Sequence, residues 1–185
     1  MLAEAPVYFR LTTLFVRHLG ESVNAYETIV SKRDRREYGS RPIPEETLLR
    51  ILQAGRMAGS SSNTQPCRFI VLDDREVLEA LAPAGPGTAP MLRAPLAIAV
   101  VLLPGGTGFD VGRVCQNMML AAWAEGVISC PQGIRDQALA RSALGLPADH
   151  SVGMCLAFGY PDENAPARPS RPRLPFEELV RHGRW

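Results

Sequence analysis

Four short stretches of the chain carry side chains suited to gripping an anion or a polar, planar ligand. The first is Lys32-Arg33-Asp34-Arg35-Arg36, at the end of an expected helix. Guanidinium forks match phosphate oxygens two at a time, so the run could clamp a phosphate. It reads equally as a solvated face whose charge suits a helix C-terminus. Far along the chain, Arg171 and Arg173 stand in "PSRPRLP". Alternating prolines stiffen such a stretch towards an extended form and would fix the two guanidiniums relative to one another, unless the segment is simply a soluble tail. The third stretch, "GSSSNTQPCRF" (59–69), places Ser60, Ser61, Ser62, Asn63, Thr64 and Gln65 ahead of an apolar strand. It is either a plain connector or a ligand grip, since an asparagine amide can pair with an edge that shows both a carbonyl and an N–H. The fourth, "CPQGI" (130–134), leaves a strand, turns at Pro131 and exposes backbone amides near Gln132 and Gly133.

The chain carries no Walker A run and no G-x-G-x-x-G after a strand, so the usual nucleotide loops are missing. His18, His150 and His182 are scattered without ligand spacing, and no metal site is expected. No histidine sits in a motif with a nucleophile, so no side chain is assigned a catalytic role. Equipment to hold something anionic and planar, without equipment for acid–base work, points to a cofactor that carries the chemistry itself. A formal net charge of +1 argues against a general nucleic-acid binder. The longest apolar run, 94–103, contains Pro95 and falls short of the roughly 20 residues of a membrane helix. Cys67, Cys115, Cys130 and Cys155 form no C-x-x-C pair, and three lie in apolar stretches; they read as buried free thiols of a cytoplasmic protein.

These stretches need elements to position them. At 185 residues the chain is about one domain. Residues 1–21 read as an N-terminal arm, unlike a signal or transit peptide, and 22–185 as a single domain. Ser22 can cap a first helix, with Val23, Tyr26, Ile29 and Val30 on one face. "SRPIPEE" launches a second, in which Leu48, Ile51, Leu52, Gly55 and Ala58 recur at helical spacing. Strands are expected at 68–72, 96–103, 127–130 (ended by Pro131) and in "VGMCLAFGY", and short helices at "DDREVLEALA" and "RDQALARSALGLP". Asp110 can cap a helix running to Glu125 that is apolar nearly all round, so its own domain or a partner chain must cover every side. The architecture is α+β, a small central sheet between helices.

Taken in order, four stretches resemble the nitroreductase family of FMN-dependent oxidoreductases. "KRDRREY" is similar to the family's basic N-terminal segment, and "RPIPEETLLRILQAGRMAGSSSNTQPCRF" to its helix and Asn-x-Gln-Pro loop. "DVGRVCQNMMLAAWAEGVISCPQG" is similar to its central helix, strand and Pro-x-Gly turn, and "GLP…LAFGYP…RPRLPFEELV" to its closing strand and basic tail. The resemblance implies a small, mainly antiparallel sheet flanked by helices. It further implies a homodimer with two active sites at the subunit interface, bound FMN, and NADH or NADPH as electron donor. The activity would be ping-pong hydride transfer to nitro, quinone or similar small-molecule acceptors.

On the same resemblance, Lys32, Arg33 and Arg36 would contact the FMN phosphate and the pyrimidine side of the ring, with Asp34 where the family often has serine. Ser60, Ser61, Asn63 and Gln65 would meet the phosphate region, ribityl chain or flavin edge. Pro131, Gln132 and Gly133 would line the ring, and Arg171 and Arg173 would reach the phosphate from the tail. Gly59 stands where proline is usual and Cys67 where tryptophan is common, while the short link "PGGTGF" (104–109) suggests an open substrate pocket walled by Phe109. Two other readings stay open: flavin-dependent oxidation or flavin cleavage to a benzimidazole, and a non-catalytic flavin binder.

Overall fold

The computed structural model of the chain describes residues 24–166 and 172–185. The expected arm at 1–21, and Arg171, therefore lie outside the described residues. Helix α1 (Ala25–Ser31) is capped by Asn24, whose Oδ1 accepts from the N–H groups of Tyr26 (3.0 Å) and Glu27 (3.3 Å). The cap is thus Asn24 rather than Ser22, which falls outside the described residues. Helix α2 (Glu45–Arg56) starts as expected, with Glu45 and Glu46 in its first turn at the positive end of the helix dipole.

Strands β1 (Cys67–Leu72), β2 (Leu96–Leu102), β3 (Ile128–Gln132) and β4 (Ser151–Gly159) form one sheet ordered β1-β2-β4-β3, with every pairing antiparallel. The continuous apolar run of β2 is explained by cover on both faces. Leu96, Ile98 and Val100 join one core with Ile51 of α2 and Val114 and Met118 of α4 (Gly108–Ala124). Ala97 and Ala99 join a second core with Leu78 and Leu81 of α3 (Arg75–Leu81), Met91, and Ala140 of α5 (Gln137–Leu144). Ile98, Val100, Leu156 and Phe158 are fully buried, each contributing about 1.5–3 kcal/mol of transfer free energy. The two central strands are therefore a rigid platform, and both candidate site regions hang from its outer edges.

Helix α4 begins differently from the expectation. Thr107 is its cap, and Asp110 is the third residue of a capping box, accepting from Thr107 N (2.9 Å) and Oγ1 (2.7 Å). Those bonds hold the Asp110 carboxyl below the usual carboxylate range. The helix buries Val111, Val114, Cys115, Met118, Met119 and Ala122, and exposes Gly112, Arg113 and Gln116 along a strip that the other described residues leave open. Pro131 does not end β3: the strand runs through it to Gln132, pairing Pro131 with Leu156. An outer strand tolerates the missing donor. The described chain closes with a short helix, α6 (Phe176–Leu179). No helix among the described residues is long and apolar enough to cross a membrane.

Candidate functional site

The basic run lies along the outer edge of β3. Asp34 bridges Ser129 in the parallel sense, and Arg35 N–H donates to Ser129 O (3.0 Å). The Lys32 ammonium turns back to pair with the Asp34 carboxylate and lies 3.5 Å from Met119 Sδ, its side chain only 7% exposed. A lysine, not an arginine, thus offsets the carboxylate that would otherwise repel an anion. Arg33 Nη1 donates to the carbonyls of Val30 (2.7 Å) and Lys32 (2.8 Å), which anchors its guanidinium at the C-terminal end of α1. Arg36 Nε donates to the buried Cys130 Sγ (3.1 Å), and that bond raises the guanidinium's already high pKa. Beyond it, half-buried Tyr38 donates to Ala157 O (3.4 Å), and burial pushes its phenol well above the ordinary range.

At the end of β3, Pro131 is half-buried and Gly133 is exposed, with open space where a side chain would stand. Gln132 behaves otherwise: it is 2% exposed. In the amide orientation its neighbours require, it donates to Thr88 O (3.1 Å) and accepts from Met91 N (3.3 Å). Its side chain grips the loop behind the strand, leaving Pro131 and the backbone at Gly133 as the surface. Ser129 Oγ, fully buried beside the basic run, has no hydrogen-bond partner among the described residues.

The serine-rich loop occupies another corner. Ser61–Asn63 form one 3₁₀ turn, with Thr64 N–H donating to Ser61 O (3.0 Å) and Gln65 N–H to Ser60 Oγ (2.8 Å). Ser62, Asn63 and Gln65 hold positive φ angles of 49°, 55° and 49°, which non-glycine residues adopt at a cost of order 1–3 kcal/mol each. Residues 61–65 are exposed. Gly59 lies against Arg113: a Cβ there would sit 2.6 Å from Nη2, the movable end of that side chain. That guanidinium lies 5.6 Å from the Phe109 ring centroid. A pocket of about 540 Å³ opens beside the loop, lined by Leu52, Gln53, Ser60, Gln65, Phe69 and Asp110 among others.

The two regions do not meet within one chain. Asp34 lies outside β3 in the row Ser129–Phe158–Leu96, whereas the loop feeds β1 at Cys67, opposite Leu102. Four strand spacings across and six residues along put them on the order of 28 Å apart, at diagonal corners of the sheet. A ribityl phosphate on one corner cannot reach the other through the intervening strands. In the tail, Arg173 is exposed and makes no hydrogen bond or ion pair among the described residues.

Sequence reasoning missed two supports. Cys130 was expected only as a buried thiol, yet it holds Arg36. Gly85 lets the loop behind β3 approach the turn: a Cβ there would lie 2.2 Å from Gly133 O, and Arg135 N and Asp136 N both donate to Ala84 O (2.8 and 2.9 Å). "PAGPGTAP" signals a loop, but nothing in it says which glycine abuts another backbone.

The nitroreductase family model matches residues 29–100 and 106–160, which include the basic run, the serine-rich loop and the Pro131–Gly133 turn. The chain belongs to the nitroreductase family. A relative from Archaeoglobus fulgidus, provisionally named NADH dehydrogenase/NAD(P)H nitroreductase, is 32% identical over 147 residues, covering 73% of this chain and 84% of its own. The NADPH-flavin oxidoreductase of Vibrio harveyi is 30% identical over 184 residues, covering 88% of this chain and 75% of its own. Among solved structures, a provisionally named nitroreductase from Desulfovibrio desulfuricans in complex with FMN superposes with a TM-score of 0.77 at 29% identity, covering 89% of this chain and 99% of its own. The nitroreductase fold, with its small antiparallel sheet between helices, is thus the fold of this chain.

Proposed function

We propose that this nitroreductase-family chain is an FMN-dependent oxidoreductase. It would act as a homodimer, drawing electrons from NADH or NADPH and reducing nitro, quinone or similar small molecules. The observation that carries this reading is the fixed cationic edge at 32–36, beside a turn whose Gly133 faces open space. FMN has a dianionic phosphate and a planar ring with a hydrogen-bonding edge, and the residues fit both. Arg33 and Arg36 each commit one guanidinium nitrogen to the protein and keep others for phosphate or pyrimidine oxygens. The backbone from Pro131 to Gly133 gives the ring a surface without side-chain obstruction. The tail arginines, Arg171 and Arg173, would add charge at the phosphate.

The separation of the serine-rich loop from the basic run makes the dimer part of the reading. Ser60, Ser61, Asn63 and Gln65 of one protomer would complete the site built on β3 of its partner, so each interface holds two sites related by the two-fold axis. When bound, FMN supplies the redox chemistry, accepting two electrons from the nicotinamide and passing them to the acceptor. The chain's own residues bind, orient and exclude solvent. Arg36, held protonated against Cys130, would favour negative charge on the pyrimidine edge. Residues 22–185 would be one FMN-binding domain with 1–21 an arm, and four free cysteines suit a cytoplasmic protein.

The test is colour. Purified protein should be yellow, bleach with NADPH or NADH, and recover with a quinone or nitroaromatic. Retained colour that neither nicotinamide bleaches would move the assignment to an oxidase or a passive binder. Loss of flavin to a benzimidazole product would favour cleavage, and protein that stays colourless after FMN soaking would overturn the reading.

A further inference from the structure

The Arg36–Cys130 contact reaches beyond the fold and beyond the family assignment. Cys130 is 1% exposed on β3, opposite Ala157. Its Sγ lies 3.4 Å from Pro131 O, so the thiol hydrogen can point to that carbonyl and leave the sulfur lone pairs towards Arg36 Nε at 3.1 Å. The arginine's backbone is pinned at the same place. Arg35 N bonds to Ser129 O (3.0 Å), the residue before Cys130, and Arg36 N bonds to Glu37 Oε2 (3.2 Å). On its far side Tyr38 is tied to Ala157, the cross-strand partner of Cys130. An otherwise exposed arginine, whose many rotamers would normally be free, is therefore fixed at its backbone and at one of its three side-chain nitrogens.

We infer that Cys130 is a positioning residue: its sulfur orients the Arg36 guanidinium so that the two terminal nitrogens are presented to an anionic flavin as a pre-set fork. This rests on the FMN reading above, and it deepens that reading by naming the group that sets its electrostatics. A guanidinium held in place loses less conformational freedom on binding than one that must be recruited. A fixed positive charge near the pyrimidine edge also favours the reduced, anionic ring and so raises its midpoint potential. The sulfur undergoes no chemistry of its own here.

The experiment compares FMN affinity, by quenching of flavin fluorescence, with the midpoint potential of the bound flavin. Wild type, Cys130→Ala, Cys130→Ser, Arg36→Ala and the Arg36→Ala/Cys130→Ala double variant are measured, with thermal melting as a check on folding. Should Cys130→Ala fail to fold, Cys130→Val takes its place. The expected results are a loss of affinity of roughly three- to tenfold in Cys130→Ala with a more negative potential, and recovery to within about twofold in Cys130→Ser, which keeps an acceptor. Adding Cys130→Ala to Arg36→Ala should change neither quantity further. If Cys130→Ala matches wild type while Arg36→Ala is weakened, or if the two effects simply add, the positioning role is overturned and the FMN reading stands. If wild type itself does not bind FMN, the FMN reading fails and the positioning role goes with it.

Discussion

The edge of β3 and the loop before β1 hold their polar residues in opposite ways. At β3, four of the side chains have a partner within their own chain: Lys32 has Asp34, Arg33 has the end of α1, Arg36 has Cys130 and Gln132 has the 88–91 loop. That edge is built before any ligand arrives. The loop is exposed from 61 to 65 and holds three non-glycine residues at positive φ. Its strain is balanced by the 3₁₀ turn, the Ser60–Gln65 bond and the packing of Arg113 against Gly59. Strain kept in an outward-facing loop has a use when something outside the chain takes up the groups it presents. The contrast suggests a division of labour: the edge supplies charge and permanence, and the loop supplies shape to a neighbour.

The contrast can be broken first at its strongest point. Arg36→Ala removes a charge-assisted contact worth about 1.5–3 kcal/mol, so FMN affinity should fall at least tenfold in fluorescence titration. An unchanged affinity would mean that the edge does not supply the charge. Asn63→Gly acts on the loop. It should relieve strain and leave the melting temperature level or raised, yet weaken FMN roughly threefold or more because the amide is lost. A drop in melting temperature with intact affinity would make the loop a structural connector. Asp34→Asn is a smaller perturbation. It frees Lys32 and should tighten FMN about two- to threefold at low salt, an effect that added salt erodes. Weaker binding would show that the lysine needs its partner for position. Smallest is a difference in thiol reactivity. Burial pushes the Cys115 and Cys155 thiols up to about 12, and Cys67 is only half-buried with its thiol raised as well. A disulfide reagent at pH 8 should therefore modify Cys67, at the loop, well before Cys115 or Cys155.

The two regions also differ in how much of them the sequence reveals. Helix α2, the β2 core strand and the serine-rich loop are legible because local signals agree: Glu45 and Glu46 at a helix start, an unbroken apolar run, Pro66 ending the polar stretch. Three features were misread where two local rules compete. Asn24 and Ser22 are both good caps, Thr107 and Asp110 share a capping box, and Pro131 stops most strands but not an outer one. Contacts such as Arg36 to Cys130, 94 residues apart, or Gly85 against Gly133, leave no local trace at all. The candidate residues were legible as types, while their placement at opposite corners of the sheet depends on the strand order β1-β2-β4-β3.

The most direct test mixes two crippled chains. One lacks the Arg33 and Arg36 side chains, the other those of Ser61 and Asn63, and each alone should bind FMN poorly. If every site takes its charged edge from one chain and its loop from another, random re-pairing makes half the dimers mixed, each with one intact site. The mixture should then regain about a quarter of the FMN-binding sites at wild-type affinity. A mixture that binds no better than its two components would place the whole site within a single chain and contradict the account.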